Sequence, residues 1–223
     1  PQVAKDYIGG RGIGIYYLSR EVDPACDPLS PENVLVMAAG PLTGTGAPTC
    51  ARYMVMTKSP LTGAITCSNA GGRFPTEIKR SGYDGIVFSG RARHPVYLYI
   101  DDGQAALRDA AHLWGQTTHD TTDRLLQETD PKARVACIGP AGEQLVRFAA
   151  IMNDKDRAAG RSGVGAVLGS KNLKAIVVEG KERNQPADKD KFKFMLYETG
   201  KLIKASPLTS QALPEFGTAV VMN

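Results

Sequence analysis

The chain has 223 residues, enough for one large domain or for one domain and the start of another, since domains commonly hold roughly 100–200 residues. Hydrophobic residues make up 42% of it, so it can bury a core of its own. The net charge of +4 is spread without runs of Lys or Arg and only 7% of residues are aromatic, which favours small anionic ligands over a nucleic-acid groove or a base-stacking platform.

Cys26, Cys50, Cys67 and Cys137 are too widely spaced for a Cys-x-x-Cys metal or redox pattern, and only three histidines could assist them. Free thiols in a reducing cytoplasm are the expectation. No apolar run approaches the roughly 20 residues of a membrane span and no signal peptide is visible. A start at Pro1 and an apolar end at Val220-Val-Met-Asn223 are expected of a chain trimmed at both ends.

Val3 to Val22 has helical spacing after the turn Gly9-Gly-Arg-Gly-Ile-Gly14, which lacks both the preceding strand and the full Gly-x-Gly-x-x-Gly of a dinucleotide site. Asp23-Pro24 and Asp27-Pro-Leu-Ser-Pro31 form a turn. Strands are expected at Asn33–Ala39, Arg52–Thr57, Ala64–Cys67 and Gly85–Gly90, with a short helix at Glu77–Arg80. Val96–Ile100 and Ala105–Arg108, joined through Asp101-Asp-Gly103, read as a hairpin, because Asp-Gly supplies the positive φ of a tight turn. Further on, the pattern predicts a helix at Thr117–Thr129, strands at Ala133–Ile138, Leu145–Ile151 and Ala175–Gly180, a polar linker at Lys181–Asp188, and an amphipathic helix at Lys189–Lys204. Strands with few, short helices and an antiparallel hairpin indicate an α+β fold, two related halves forming packed β-sheets with helices outside in four αββα layers.

Two loops carry the functional signal: Cys67-Ser-Asn-Ala-Gly-Gly-Arg73 and Arg157-Ala-Ala-Gly-Arg-Ser-Gly163. Small residues admit a ligand to the backbone, free amides near a helix start attract anions, and a guanidinium lies nearby. Either loop alone is also what an ordinary strand-to-helix turn needs. Aligning Ile86 with Ile176 gives an offset of 176 − 86 = 90, which carried back without a gap sets Asn69 on Ala159 and Gly71 on Arg161, the mark of an internal duplication.

Ala39-Gly-Pro-Leu-Thr-Gly-Thr-Gly-Ala-Pro-Thr49, Thr57-Lys-Ser-Pro-Leu-Thr-Gly63, Ser81-Gly-Tyr-Asp-Gly-Ile-Val87, Ile138-Gly-Pro-Ala-Gly-Glu143, Ala149-Ala-Ile-Met-Asn153, Arg157-Ala-Ala-Gly-Arg161 and Gly163-Val-Gly-Ala-Val-Leu-Gly-Ser-Lys-Asn-Leu-Lys-Ala175 resemble, in order along nearly the whole chain, the N-terminal domain of tungsten-containing aldehyde:ferredoxin oxidoreductases. The resemblance implies a metallopterin-binding domain over 1–183, with 184–223 a linker and the start of a helical domain. It implies a tungstopterin cofactor, two pterins holding one tungsten or molybdenum, with Mg2+ bridging the pterin phosphates. The positions matching the family's pterin contacts are Arg52, Asn69, Gly71, Ala159, Gly160 and Arg161, and the carbonyls matching Asn69 and Ala159 would be the magnesium ligands. Arg52, which on pattern alone could mark a solvated strand end, would lie between a pterin and a 4Fe-4S cluster. That cluster's ligands and the catalytic residues belong to later domains, so no catalytic residue is assigned in this chain.

The implied reaction oxidises an aldehyde substrate to a carboxylic acid, with ferredoxin or a similar electron carrier as acceptor and the enzyme's helical domains as partners. Homodimer and hetero-oligomer stay open. Two other readings stand beside it: the same domain in a benzoyl-coenzyme A reductase subunit, and a non-catalytic phosphate-ligand-binding module.

Overall fold

The computed structural model describes residues 2–222; Pro1 and Asn223, on which the expectation of trimmed ends draws, lie outside the described residues. The chain forms two compact units that divide between Asn184 and Gln185.

In the first unit the segment expected to be helical after a turn at Gly9–Gly14 forms two helices, α1 (Gln2–Tyr7) and α2 (Arg11–Glu21), the second already begun within the expected turn. They are broken where Ile8 and Gly10 take φ of 63° and 50°, values an α-helix cannot hold. The first sheet contains β1 (Leu35–Ala39), β2 (Tyr53–Lys58), β3 (Ile65–Ala70) and β4 (Gly85–Phe88) in the order β3-β2-β1-β4. Every neighbouring pair in it is antiparallel. The second sheet contains β5 (Val96–Asp101), β6 (Gln104–Asp109), β7 (Arg134–Cys137), β8 (Ile151–Asn153), β9 (Arg157–Ala159) and β10 (Leu173–Glu179) in the order β6-β5-β10-β7-β8-β9. Only β5 and β10 run parallel. The β5–β6 hairpin turns at Asp102 and Gly103, with φ of 41° and 82°, as the Asp-Gly pair requires.

The two sheets pack on one core. Leu35, Met37, Tyr53 and Val55 of the first sheet cluster with Ala136, Ile151, Ile176 and Val178 of the second. Alternation along β1 sends Val36 and Ala38 the other way, onto Leu18 of α2. Likewise Val135, Cys137, Ala175 and Val177 face Leu125 of α4 (Thr118–Glu128), which the Thr117 side chain caps by accepting from the Asp120 amide. So α2 and α4 lie on outer faces, as the αββα reading has it. Two other helices do not: α3 (Phe74–Arg80) and α6 (Val164–Ser170) contribute Phe74, Ile78, Val164, Val167 and Leu168 to the core shared by both sheets. All seven residues of α6 are buried, which its small and aliphatic sequence allows.

A recurring pattern runs through the sheets. The order β3-β2-β1-β4 has the same pairing sense as β9-β8-β7-β10, and setting Ile86 on Ile176 also sets their ladder partners Met37 and Ala136 together. The helices keep the sequence offset, since 164 − 74 = 90. The strands before them do not: Met54 pairs with Asn69 where the corresponding Met152 pairs with Ala158, an offset of 158 − 69 = 89. The ungapped equivalence of Asn69 with Ala159 is therefore not kept by the ladder. The second loop holds one more residue between strand and helix.

The strand expected at Leu145–Ile151 is also corrected. Only Ile151 lies in a strand, and the residues before it form turns after the short helix α5 (Pro140–Glu143). Leu145 has φ of 56° and Phe148 is 70% exposed, neither compatible with a buried ladder. An apolar run read as β by composition is here a surface connection.

In the second unit, α7 (Lys189–Ala205) is capped by Asp188, which accepts from the Lys191 amide, and α8 (Leu213–Phe216) follows. No residue of α7 is buried, and Phe194, Met195, Tyr197 and Leu202 are exposed. Among the described residues no helix is long and apolar enough to cross a membrane.

Candidate functional site

Asn69 is the penultimate residue of β3 and Ala159 the last of β9, so the strand ends themselves carry the first residue of each candidate set and the loops proper begin at Gly71 and Gly160. Arg52 immediately precedes β2. Antiparallel pairing of Tyr53 with Ala70 brings it beside the end of β3, where its Nη1 donates to Asn69 Oδ1 at 2.5 Å. Gly71 sits against the same side chain: a Cβ there would lie 3.9 Å from Arg52 Cγ and 3.4 Å from the Ala51 carbonyl oxygen. Arg52, Asn69 and Gly71 thus form one cluster.

The second set meets the first through Ser68, whose Oγ accepts from the Arg161 amide at 3.2 Å. Arg52, Gly160 and Arg161 are exposed, Asn69 is partly exposed and Ala159 is wholly buried. A Cβ on Gly160 would meet nothing closer than Ala158 Cβ at 3.6 Å, so the second loop is open to approach at that residue. An open backbone at Gly160 and a packed one at Gly71, flanked by two exposed guanidiniums, suit a ligand with anionic ends. No cluster of His, Cys, Asp and Glu side chains among the described residues could hold a metal, so an ion here would rest on main-chain oxygens and on the ligand's own atoms.

Each loop is braced by the turn of the opposite sheet. In the β8–β9 turn, Asp154 Oδ2 accepts from the Arg73 amide at 2.5 Å and the Phe74 amide at 3.2 Å, capping the start of α3. Asn153 Nδ2 donates to the Gly71 carbonyl at 2.9 Å, and Asn153 Oδ1 accepts from the Tyr53 hydroxyl at 3.2 Å. Burial pushes the Tyr53 phenol far above its ordinary value, with the nearby Asp154 carboxylate adding to the effect, so it stays a donor. In the β2–β3 turn, Ser59 Oγ donates to the Ser162 carbonyl at 2.8 Å. Gly163, at φ 72°, passes so close to the Arg147 carbonyl oxygen that a Cβ would lie 2.0 Å from it.

Sequence reasoning missed Ser68, Asn153 and Asp154. A signal for Asn153 existed: Ile151 and Asn153 share the inward face of a strand, and a polar residue at an inward position needs a buried partner. A cavity of about 630 Å³ adjoins the first loop, lined in part by Arg73, Arg134, Asp154, Lys155 and Arg157. Another of about 600 Å³ lies between α1, α2 and the outer face of the first sheet, and neither cavity is lined by any of the six candidate residues.

The fold is a two-sheet α+β domain whose two glycine-containing loops meet where the Arg161 amide donates to Ser68. Residues 1–180 match the family described as the aldehyde ferredoxin oxidoreductase N-terminal domain, and the chain belongs to that family. It is 54% identical over all 223 residues to the tungsten-containing aldehyde ferredoxin oxidoreductase of Pyrococcus furiosus, and 54% identical over the same length to that of Pyrococcus abyssi. It spans 37% of the length of each. Among solved structures it is similar to the active site complex BamBC of benzoyl coenzyme A reductase in complex with 1,5-dienoyl-CoA, at 40% identity and a TM-score of 0.89, covering 92% of this chain and 31% of that one.

Proposed function

We propose that this chain is the cofactor base of a tungsten- or molybdenum-dependent oxidoreductase that converts an aldehyde and water to a carboxylic acid, releasing two protons and two electrons to ferredoxin or a similar carrier. The observation that carries the reading is the meeting of the two loops where the Arg161 amide donates to Ser68 Oγ at 3.2 Å, beside the Arg52–Asn69 contact at 2.5 Å, in a chain of this family. When bound, the bis-pterin metal centre supplies the two-electron chemistry. The chain's own contribution is to bind and orient. Arg52 and Arg161 offer guanidinium donors to pterin and phosphate groups, Gly71 and Gly160 allow close approach of the backbone, and the Asn69 and Ala159 carbonyls would serve a magnesium ion shared by the phosphates. Ala159 is wholly buried, whereas Asn69 is partly exposed.

Cluster ligands and substrate-handling groups are assigned to parts of the protein outside these residues, and residues 184–223 to a linker and the opening of a helical domain. The likeness to the benzoyl coenzyme A reductase complex supports a second reading, ring reduction of an aromatic thioester on the same base. The test is elemental analysis and pterin determination on the full-length protein, followed by assays with aldehydes and with aromatic coenzyme A thioesters. One metal per two pterins with aldehyde-dependent reduction of ferredoxin is the expected result. Turnover of the thioester alone selects the second reading, and absence of metal and pterin overturns both.

A further inference from the structure

We propose that Asn153 is a positioning residue for the first cofactor loop, holding the Gly71 carbonyl so that the Asn69–Gly71 backbone keeps its direction toward the ligand; this rests on the cofactor-base reading above. Asn153 has no exposed surface, so each of its polar atoms must find a partner inside the protein. Its nitrogen faces two acceptors, the Gly71 carbonyl at 2.9 Å and Asp154 Oδ2 at 3.1 Å, while its oxygen faces the Tyr53 hydroxyl at 3.2 Å. Turning the amide over would set its oxygen against both acceptors, so the orientation is fixed by chemistry.

The loop it touches has little freedom elsewhere. Gly72, at φ 103°, lies so close to the β8–β9 turn that a Cβ would come within 2.2 Å of Asp154 Oδ2, and the next two amides both donate to that oxygen. Asp154 and Lys155 themselves take φ of 48° and 64°, a turn that non-glycine residues adopt when their surroundings hold them there. From Gly71 to Phe74 the loop is therefore fastened to Asn153 and Asp154.

The first sheet shows that the strand ladder itself does not require the amide. Val55 pairs with Met37 where Asn153 pairs with Ala136, and Val55 is buried as completely as Asn153. The ladder thus accepts an apolar side chain at the corresponding place. What Asn153 meets in addition is the Tyr53 hydroxyl on its oxygen and, on its nitrogen, the loop bearing Asn69.

The test uses the full-length protein carrying Asn153→Val, with Tyr53→Phe as a milder second variant that frees the Asn153 oxygen and leaves the Gly71 contact. Three quantities are read: tungsten and pterin per folded protein, the paramagnetic signature of the metal in the one-electron-oxidised or reduced state, and the melting temperature of metal-free protein. Asn153→Val is expected to lower cofactor content about fivefold to tenfold, the worth of one hydrogen bond to the loop, and to shift the metal signature; it also strands the Tyr53 hydroxyl and so lowers the metal-free melting temperature, a loss that adding Tyr53→Phe should relieve without restoring the cofactor. Tyr53→Phe should change the same quantities in the same direction by less. Cofactor restored together with metal-free stability in the Asn153→Val, Tyr53→Phe double variant, or unchanged content and signature in Asn153→Val, overturns the positioning role. Should Asn153→Val not fold, an unchanged signature and content in folded Tyr53→Phe overturns it. Wild-type protein without tungsten, molybdenum or pterin overturns the cofactor reading and this inference with it, whereas a loaded wild type with equally loaded variants overturns the inference alone.

Discussion

Lys174 and Glu143 form an ion pair shut off from water: Nζ lies 2.5 Å from Oε1, and the two side chains are 0% and 2% exposed. The remaining capacity of the pair is used locally, Lys174 donating to the Gln116 carbonyl at 2.9 Å and Glu143 accepting from the Gly115 amide at 2.8 Å. Together they fasten the connection before α4 to α5 and β10.

Removing one member of such a pair strands a buried charge, at a cost of about 3–5 kcal/mol. Lys174→Met should therefore destabilise the protein by that order in urea unfolding, and adding Glu143→Gln should restore much of the loss. A single variant within about 1 kcal/mol of wild type, the usual worth of an exposed pair, would show the site to be hydrated in solution.

Gly163 and Gly46 share a left-handed backbone, with φ of 72° and 88°, and differ in their surroundings. A Cβ at Gly46 meets nothing within 4 Å, whereas one at Gly163 meets the Arg147 carbonyl oxygen. Gly46→Ala should cost only the backbone preference, about 1–2 kcal/mol. Gly163→Ala should cost about 1–3 kcal/mol more from overpacking and should lower cofactor content, since it displaces the second loop. Equal costs in thermal unfolding would refute the close approach.

On the proposed reading, Arg52→Ala in the full-length protein should slow electron delivery to ferredoxin more than it lowers metal content, because a charge-assisted contact of about 1.5–3 kcal/mol is lost between pterin and cluster. Asn69→Ala removes the Arg52 partner and keeps the main-chain carbonyl, so its metal content should stay near wild type. Metal loss in Arg52→Ala with unchanged transfer per remaining metal would assign the residue to anchoring.

Lys171 donates to the carbonyls of Asn33 at 2.5 Å and Gly90 at 3.0 Å, and burial, reinforced by the neighbouring Arg91 charge, pushes its ammonium down to about 8. An unfolded lysine titrates near 10.4, so between about pH 8 and pH 10 the unfolded chain holds a proton that the folded chain has released. Stability from this group rises with pH through that window. Cys137, raised to about 11 by burial, and Tyr53 act in the opposite sense, so the measurement is the difference between wild type and Lys171→Met. That difference should move toward wild type between pH 7.5 and pH 10 in denaturant unfolding. A difference independent of pH would mean that Lys171 stays charged throughout.

Much of the architecture was legible because it rests on local rules. The Asp102-Gly103 hairpin and the helices beginning at Thr118 and Lys189 are dictated within a few residues of themselves. The pair of loops was legible for the same reason, since glycine and arginine advertise close approach and anion affinity. The stretch at Leu145–Ala150 was not: its apolar residues suit a strand, and only the left-handed Leu145 and the tertiary setting turn it into a surface connection. Nor was the placement of α3 and α6 within the shared core, because seven-residue helices are too short for periodicity to say how many faces are covered. Asn153 and Asp154 act on residues 80 and more positions away, contacts that no local pattern specifies.

The crossed bracing of the loops bears on how this domain can change over generations. Ser59, in a turn of the first sheet, bonds to Ser162 in the second loop, while Asn153 and Asp154, in the second sheet, hold the first loop. A substitution in either turn is felt at the opposite loop. The two loops therefore cannot drift independently, and a chimera that exchanged one sheet and its own loop with a distant relative would inherit each loop without its brace. Viable recombination has to carry turn and opposite loop together, so the heritable module is the crossed pair and not the sheet.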